Sequence, residues 1–298
     1  MNFIDCCIRS PVFLCCYKLG KRSMLGVTKR KYVLVIGSIG LFIGFIGFVF
    51  IEAYNMKDIR TMQDEIYSTK PIDLTGLRDI RASGSNLPHF STLEKRLSHV
   101  KENKIVVNAE NELTGYIKGL PVTLFGYNNA KPFWRHYVRR LVFTGTLKER
   151  PDLVSSGAQE AEKYGFIYKN LVIGSSFTVP DHYIDNIVTF FDNYAQDYWI
   201  HFHCTHGMGR TSMLLAMLDI MKNAPEVKLK DILRRQYLLK SVNLADTVYW
   251  SGDKYTKEML ENRKKFIEDF YTFISQRKAG GIQRWSEWHQ YNKEGREK

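Results

Sequence analysis

The chain has 298 residues, with 43 Lys and Arg against 31 Asp and Glu; 44% of its residues are apolar and 25% charged. That balance excludes a disordered chain, a collagen-like chain and a polytopic membrane protein. The net charge of +12 is uneven, because residues 1–31 hold seven basic residues against one acidic, half of the excess. What remains is too dispersed to argue for nucleic acid, yet it suits a small polyanionic ligand.

The basic first segment, residues 1–31, carries two cysteine pairs, Cys6-Cys7 and Cys15-Cys16. Beside a membrane such pairs read as acylation sites, and otherwise as an apolar tail; both readings stay open. Only Cys204 lies in the body, so the body holds no internal disulfide. Residues 33–51 are nineteen uncharged positions in a row, about 28 Å as a helix, which matches a bilayer's hydrocarbon core. Arg30 and Lys31 precede this run and Glu52 follows it. The asymmetry predicts a signal anchor over residues 32–52 in a single-pass membrane protein, amino end cytoplasmic and body translocated; a cleaved signal peptide is the competing reading. Gly37, Gly40, Gly44 and Gly47 form a small-residue stripe of the kind that packs transmembrane helices, which reads either as a homodimer contact or as glycine tolerated in lipid.

Residues 53–70 read as a juxtamembrane helix or linker ended by Pro71, with the globular body at 71–292 and a short tail at 293–298. In the body, Ser91 and Glu94 have the spacing of a capping box opening a helix with Leu93, Leu97 and Val100 on one face. Strands are predicted at 105–107, 120–125 and 141–144, with a polar, less periodic subsidiary unit between the last two. A short helix at 158–163 leads into a strand-like run at 166–173. Ile184, Ile187, Val188, Phe191 and Tyr194 mark an amphipathic helix starting near Pro180-Asp181. Residues 199–203 suit a buried strand, and 211–221, apolar nearly all round, a buried helix. Further helices are predicted at 229–240 and 256–278. The alternation argues for an α/β sheet covered by helices on both faces.

Between the strand at 199–203 and the helix at 211–221 lies the sequence Cys-Thr-His-Gly-Met-Gly-Arg, residues 204–210. A glycine-rich loop turns successive backbone N–H groups toward a tetrahedral oxyanion, and the next helix adds the positive end of its dipole. The same field favours the thiolate form of Cys204, a nucleophile toward phosphorus. Arg210 offers a planar fork for two phosphoryl oxygens. Thr211 is placed to hydrogen-bond the sulfur, and Thr205, His206, Gly207, Met208 and Gly209 line the anion site. His206 reads either as an exposed side chain or as a positive rim for a second phosphate. His203 orients the loop. Thiolate, arginine and amides do the work of a cation, so no cofactor and no metal is expected.

On these residues the chain resembles the cysteine-dependent protein-tyrosine-phosphatase superfamily and, more narrowly, the bacterial protein-tyrosine-phosphatase-like phytases. The similarity runs through residues 199–239 and extends to Ser83-Gly84-Ser85, residues 107–119, Trp285 and Trp288, covering roughly 71–292. It implies a phosphatase-like central sheet, a small barrel-like β domain supplied by residues 112–150, and Cys204 as nucleophile, Arg210 as phosphate clamp and Thr211 as thiolate partner. Two departures stand out. The family's Asp-His pair, whose Asp protonates the leaving oxygen, falls on Ser175 and Ser176; Asp181 in Val179-Pro180-Asp181, Asp185, or no acid at all takes that role. The family's Asp-Leu-Arg run falls on Asn108-Ala109-Glu110, so Glu110 stands where an arginine would hold a phosphate. Lys254 and Lys257 compensate or form a solvated face. The expected function is a membrane-anchored phosphatase removing phosphate from inositol polyphosphates through a phosphocysteine. Its alternatives are a protein-tyrosine or phosphoinositide phosphatase, or a phosphate-binding protein without an acid.

Overall fold

The computed structural model describes residues 31–51, 56, 59–110, 113–125, 134–146, 148, 150–174, 179–248 and 255–296. The four amino-terminal cysteines, Ser175, Ser176 and Lys254 lie outside them. The chain divides into two units, Met1–Ile51 and Glu52–Lys298. In the first, helix α1 (Lys31–Ile51) is long and apolar enough, by length and composition, to cross a bilayer.

The second unit is a mixed α/β fold. Its main sheet is ordered β1-β2-β8-β3-β7, from β1 (Arg60–Thr61), β2 (Ala82–Ser85), β3 (Lys104–Asn108), β7 (Ile167–Asn170) and β8 (Trp199–His203). All pairings are parallel except that of β1 with β2. The period of two decides which side each residue serves. Ile105, Val107, Ile200 and Phe202 join one core with helices α5 (Asp181–Tyr194), α6 (Gly209–Asn223), α7 (Leu229–Leu238), α8 (Lys257–Lys278) and α9 (Trp285–Arg296). Val106 and Trp199 face the other core, with Phe90, Leu93 and Leu97 of α2 (Phe90–Arg96) or its end and Ala161 of α4 (Gly157–Glu162). The sheet is therefore covered on both faces, as its continuous buried strands require.

Strand β8 lies between β2 and β3, with Ser85 and Asn108 both in register with His203. Three parallel strands thus end together, which is where an open α/β sheet presents its ligand site. Gly84 lets α6 approach: a Cβ there would lie 2.6 Å from Thr211 Cγ2 and 2.9 Å from Leu215 Cδ1. Within α6, apolar nearly all round, Asp219 is fully buried but paired with Arg235 of α7, which also donates to Asp73 O at 3.2 Å and Thr75 O at 2.9 Å. A buried charge persists only with such a partner. A second sheet, ordered β5-β4-β6 and antiparallel, comes from β4 (Leu113–Ile117), β5 (Leu120–Phe125) and β6 (Ser155–Ser156).

Four expectations need correction. Residues 141–144 are not a strand but the end of helix α3 (Trp134–Thr144). Its polarity runs against the usual pattern, with Trp134, Leu141 and Val142 exposed and Arg139 and Arg140 buried. No capping box forms at Ser91-Glu94: α2 starts at Phe90 after His89, whose ring contacts Ser91 and Thr92. The capping box is at Ser156 and Gln159, ahead of α4. Residues 53–70 are more than a linker, since β1 joins the sheet and Ile59, Arg60 and Met62 are buried. Residues 293–296 of the expected tail continue helix α9, whose Trp285 and Trp288 join the main core.

Candidate active site

The loop 204–210 joins the buried end of β8 to the start of α6. Gly207 turns it with φ +68°, and a Cβ at that position would lie 2.4 Å from Asn86 N and 2.6 Å from Ser85 C. Both the torsion and the contact demand glycine. The turn closes with Gly207 N donating to Cys204 O at 3.3 Å, and Ser212 N donates to Met208 O at 2.9 Å as α6 begins. Gly207→Ala is expected to lower loop occupancy of the anion-binding form: inorganic phosphate affinity, read by calorimetry, falls at least about tenfold, and folding stability by roughly 1–3 kcal/mol.

Cys204 is a buried, free cysteine. The Thr211 hydroxyl lies 3.2 Å from Cys204 Sγ as donor, and 3.4 Å from Ser85 O. Behind the loop runs a fully buried polar chain. Trp199 Nε1 donates to Ser83 Oγ at 2.8 Å. Ser83 Oγ is 2.8 Å from His201 Nδ1, and His201 Nε2 is 2.9 Å from Ser85 Oγ. Ser85 Oγ donates its own hydrogen to Asn86 O at 2.7 Å, so it accepts from His201, and the ring is the neutral Nε2–H tautomer with Nδ1 accepting from Ser83. Burial above all, then His203 and Arg60, holds His201 well below the usual histidine range. The chain ends at Asn86, the residue on which Gly207 rests.

His203 is also buried; burial first and Arg210 second push it down to about 3. Its Nε2 lies 3.4 Å from the Tyr168 hydroxyl, which burial and then Glu110 push well above the usual tyrosine range. A histidine depressed by folding contributes stability that is whole above its unfolded value of 6.5 and is lost as pH falls toward 3. Tm is therefore expected to drop on acidification from pH 7 to pH 5, and His203→Gln to flatten that slope in a pH series of thermal melts.

Arg210 and Thr205 converge on Glu110, two residues past the end of β3. Glu110 Oε1 accepts from Arg210 Nη2 at 2.9 Å and from both the backbone N–H and the hydroxyl of Thr205. The Glu110 side chain is 0% exposed and that of Arg210 21%. Thr205, expected among the anion-binding residues, thus spends its donors on Glu110. From the opposite end of the chain, Arg60 of β1 reaches the loop: its Nη2 donates to Gly207 O at 2.9 Å and Ser212 Oγ at 3.1 Å, and its Nε to Ser241 Oγ at 3.1 Å.

Asp181 stands apart from this constellation in its recorded contacts. It is the first residue of α5, and its carboxylate accepts from Trp285 Nε1 at 2.8 Å and contacts His289 Nδ1 at 2.8 Å. Asp185 likewise accepts from Ser286 N at 3.1 Å and pairs with Arg284 at 3.3 Å. Both carboxylates dock α9 onto α5, and the cavity beside Asp181, lined by Val179, Ile184, Phe266, Trp285 and His289, includes no residue of the loop. Sequence reasoning missed Arg60 and the Ser83–His201–Ser85 chain. Alternation along β2 and β8 places these serines and the histidine at paired positions, the one signal available; Arg60 leaves none.

The model of the protein-tyrosine-phosphatase-like phytase family, described by the words inositol hexakisphosphate, matches residues 101–222. The chain belongs to that family. It is 34% identical over 98 residues to the uncharacterized protein AvrBs1.1 of Xanthomonas campestris pv. campestris, covering 33% of this chain and 94% of that one. Among solved structures it is similar to the tandemly repeated protein-tyrosine-phosphatase-like phytase of Mitsuokella multacida (25% identity, TM-score 0.63, covering 78% of this chain and 46% of that one). It is also similar to the phosphatase-like myo-inositol phosphatase of the same organism in complex with myo-inositol-(1,3,4,5)-tetrakisphosphate (21% identity, TM-score 0.65, 79% and 45%). The chain spans about half the length of these two structures. Family membership places the phosphatase-like fold around the Cys204–Arg210 loop.

Proposed function

We propose that the chain is a cysteine-dependent phosphatase hydrolysing phosphomonoesters of inositol phosphates. The observation that carries this reading is Thr211 donating to Cys204 Sγ at the base of a glycine-turned loop whose arginine is pinned beside it. In the first step Cys204 attacks phosphorus, forming the S–P bond as the bond to the ester oxygen breaks and the leaving alkoxide takes a proton from Asp181 or from water. Arg210 and the amides of His206, Met208, Gly209 and Arg210 hold the non-bridging oxygens as charge builds on them. Water then attacks phosphorus, giving its proton to the group that protonated the alkoxide or to solvent, the S–P bond breaks, and Thr211 stabilises the departing thiolate. The inositol ring is supported by the family match and by the tetrakisphosphate bound to the Mitsuokella relative. In this reading residues 52–298 form the catalytic unit, Lys254 adds a cation for the substrate, and α1 anchors the enzyme in a membrane with residues 1–30 on the cytoplasmic side.

The test is phosphate release by the full chain in detergent from inositol phosphates, a phosphotyrosine peptide and an aryl phosphate. Faster turnover of the inositol phosphates is expected; turnover of the peptide alone would make the protein a protein phosphatase instead. Asp181→Asn is run alongside. A loss of about 10²-fold or more on the inositol ester, spared on the aryl ester with its better leaving group, assigns Asp181 the proton donor's role. Equal losses on both substrates assign it the docking role that Trp285 and His289 describe.

A further inference from the structure

We propose that Glu110 selects for sparsely phosphorylated substrates by cancelling the charge of Arg210 at the mouth of the loop; the proposal rests on the phosphatase reading above and names its substrate class. Glu110 is held rigidly. Its N–H donates to Asn108 Oδ1 at 3.1 Å, fixing the turn after β3, and its side chain is wholly buried. Oε1 takes three donors, Arg210 Nη2 and the two donors of Thr205, while Oε2 is buried with no hydrogen-bond partner among the described residues. A carboxylate in that position is a resident anion at the first amide of the oxyanion cradle.

Its effect on charge follows directly. Cys204 brings a negative charge when it is the nucleophile, Glu110 a second, and Arg210 one positive charge. Arg60 adds a positive charge behind the loop, but its donors are turned to Gly207 O, Ser212 and Ser241 and it is present whether or not residue 110 is charged; His203, buried with Arg210 nearby, stays neutral. The amides and the remaining donors of Arg210 still serve one phosphoryl group, because hydrogen-bond directions at short range do not depend on the net charge around them. Each additional phosphate on the substrate, however, meets a field with one positive unit removed from close range. A single charge in a partly screened cleft changes the binding of a neighbouring anion by roughly tenfold. The cost therefore grows with each phosphate flanking the one attacked, and the favoured substrate class is phosphomonoesters with few neighbouring phosphates.

The experiment compares kcat/KM for inositol hexakisphosphate and an inositol monophosphate in wild type, Glu110→Gln and Glu110→Asp, using the full chain in detergent and a series of salt concentrations. Glu110→Gln keeps shape and one acceptor but drops the charge. It is expected to raise the hexakisphosphate-to-monophosphate ratio at least tenfold, mainly through KM, and to steepen the salt dependence of the hexakisphosphate; Glu110→Asp keeps the wild-type ratio. An unchanged ratio in Glu110→Gln, or an equal loss on both substrates, overturns the proposal and leaves Glu110 as a brace for Arg210. If wild type releases phosphate from neither compound, the phosphatase reading fails by itself. The charge inference is then read from binding, where Glu110→Gln must raise the affinity of the Cys204→Ser chain for hexakisphosphate over inorganic phosphate at least tenfold; no rise overturns it.

Discussion

Cys204→Ser is expected to remove phosphate release, a fall on the order of 10⁴-fold or more, while inorganic phosphate still binds within a few-fold of wild type. The two outcomes separate because they use different atoms. Anion binding rests on backbone donors and Arg210, and the turn that aims them is set by Gly207 against Ser85 and Asn86, none of which the substitution touches. Chemistry rests on a sulfur that carries charge, and a serine hydroxyl at the same site stays protonated and leaves phosphorus poorly. Acid-quenching wild type during turnover should trap phosphate on Cys204, and the serine chain should trap none. Thr211→Val tests the second half of the cycle: without the hydroxyl 3.2 Å from Sγ, the departing thiolate loses its donor, so the trapped fraction should rise as kcat falls. A serine chain that retained its rate would place the nucleophile elsewhere.

The parts of this molecule that could be read from sequence are those whose signal is local. The loop 204–210 is contiguous, and its two glycines, cysteine and arginine state its chemistry without tertiary information. Helices α5 and α8 declared themselves through periodic apolar positions, α6 through a run apolar nearly all round, and β8 through a short buried run. Helix α3 did not, because Leu141, Val142 and Phe143 look like a strand while Arg139 and Arg140, which a pattern rule assigns to solvent, are the buried positions. The stretch 53–70 failed for a related reason. Strand β1 is only two residues long, too short for alternation, and its key residue is an arginine. Glu110 was visible as a departure from the related enzymes, but its partners, Thr205 and Arg210, lie about a hundred residues away. Contacts of that span are products of the strand order β2-β8-β3, which periodicity does not encode.

Arg60→Met is expected to lower kcat by about 10²–10³-fold, the effect of losing one oxyanion donor, although Arg60 does not belong to the loop. The reason lies in one peptide unit. Arg60 Nη2 holds the Gly207 carbonyl at 2.9 Å, and because the peptide is planar and trans, the N–H of Met208 must point the opposite way. Glycine at 207 makes that unit easy to rotate, so the orientation needs a pin. With methionine at 60, Gly207 O and Ser241 Oγ lose their shared buried donor, at about 1–3 kcal/mol for each group left unsatisfied, while Ser212 Oγ keeps the N–H of Val242 at 3.1 Å. Part of that cost is relieved by turning the peptide over, which withdraws an amide from the anion. Arg60 is therefore a positioning residue, and stability alone does not test it. The discriminating readouts are phosphate affinity, which should fall with kcat, and chemical rescue: guanidinium ion added to Arg60→Ala should restore activity where an equal concentration of sodium chloride does not. Arg60→Lys, with one donor head for three acceptors, should fall between the two. Wild-type phosphate affinity in Arg60→Met, at a temperature where the variant is folded, would reduce Arg60 to a structural tie between β1 and α6.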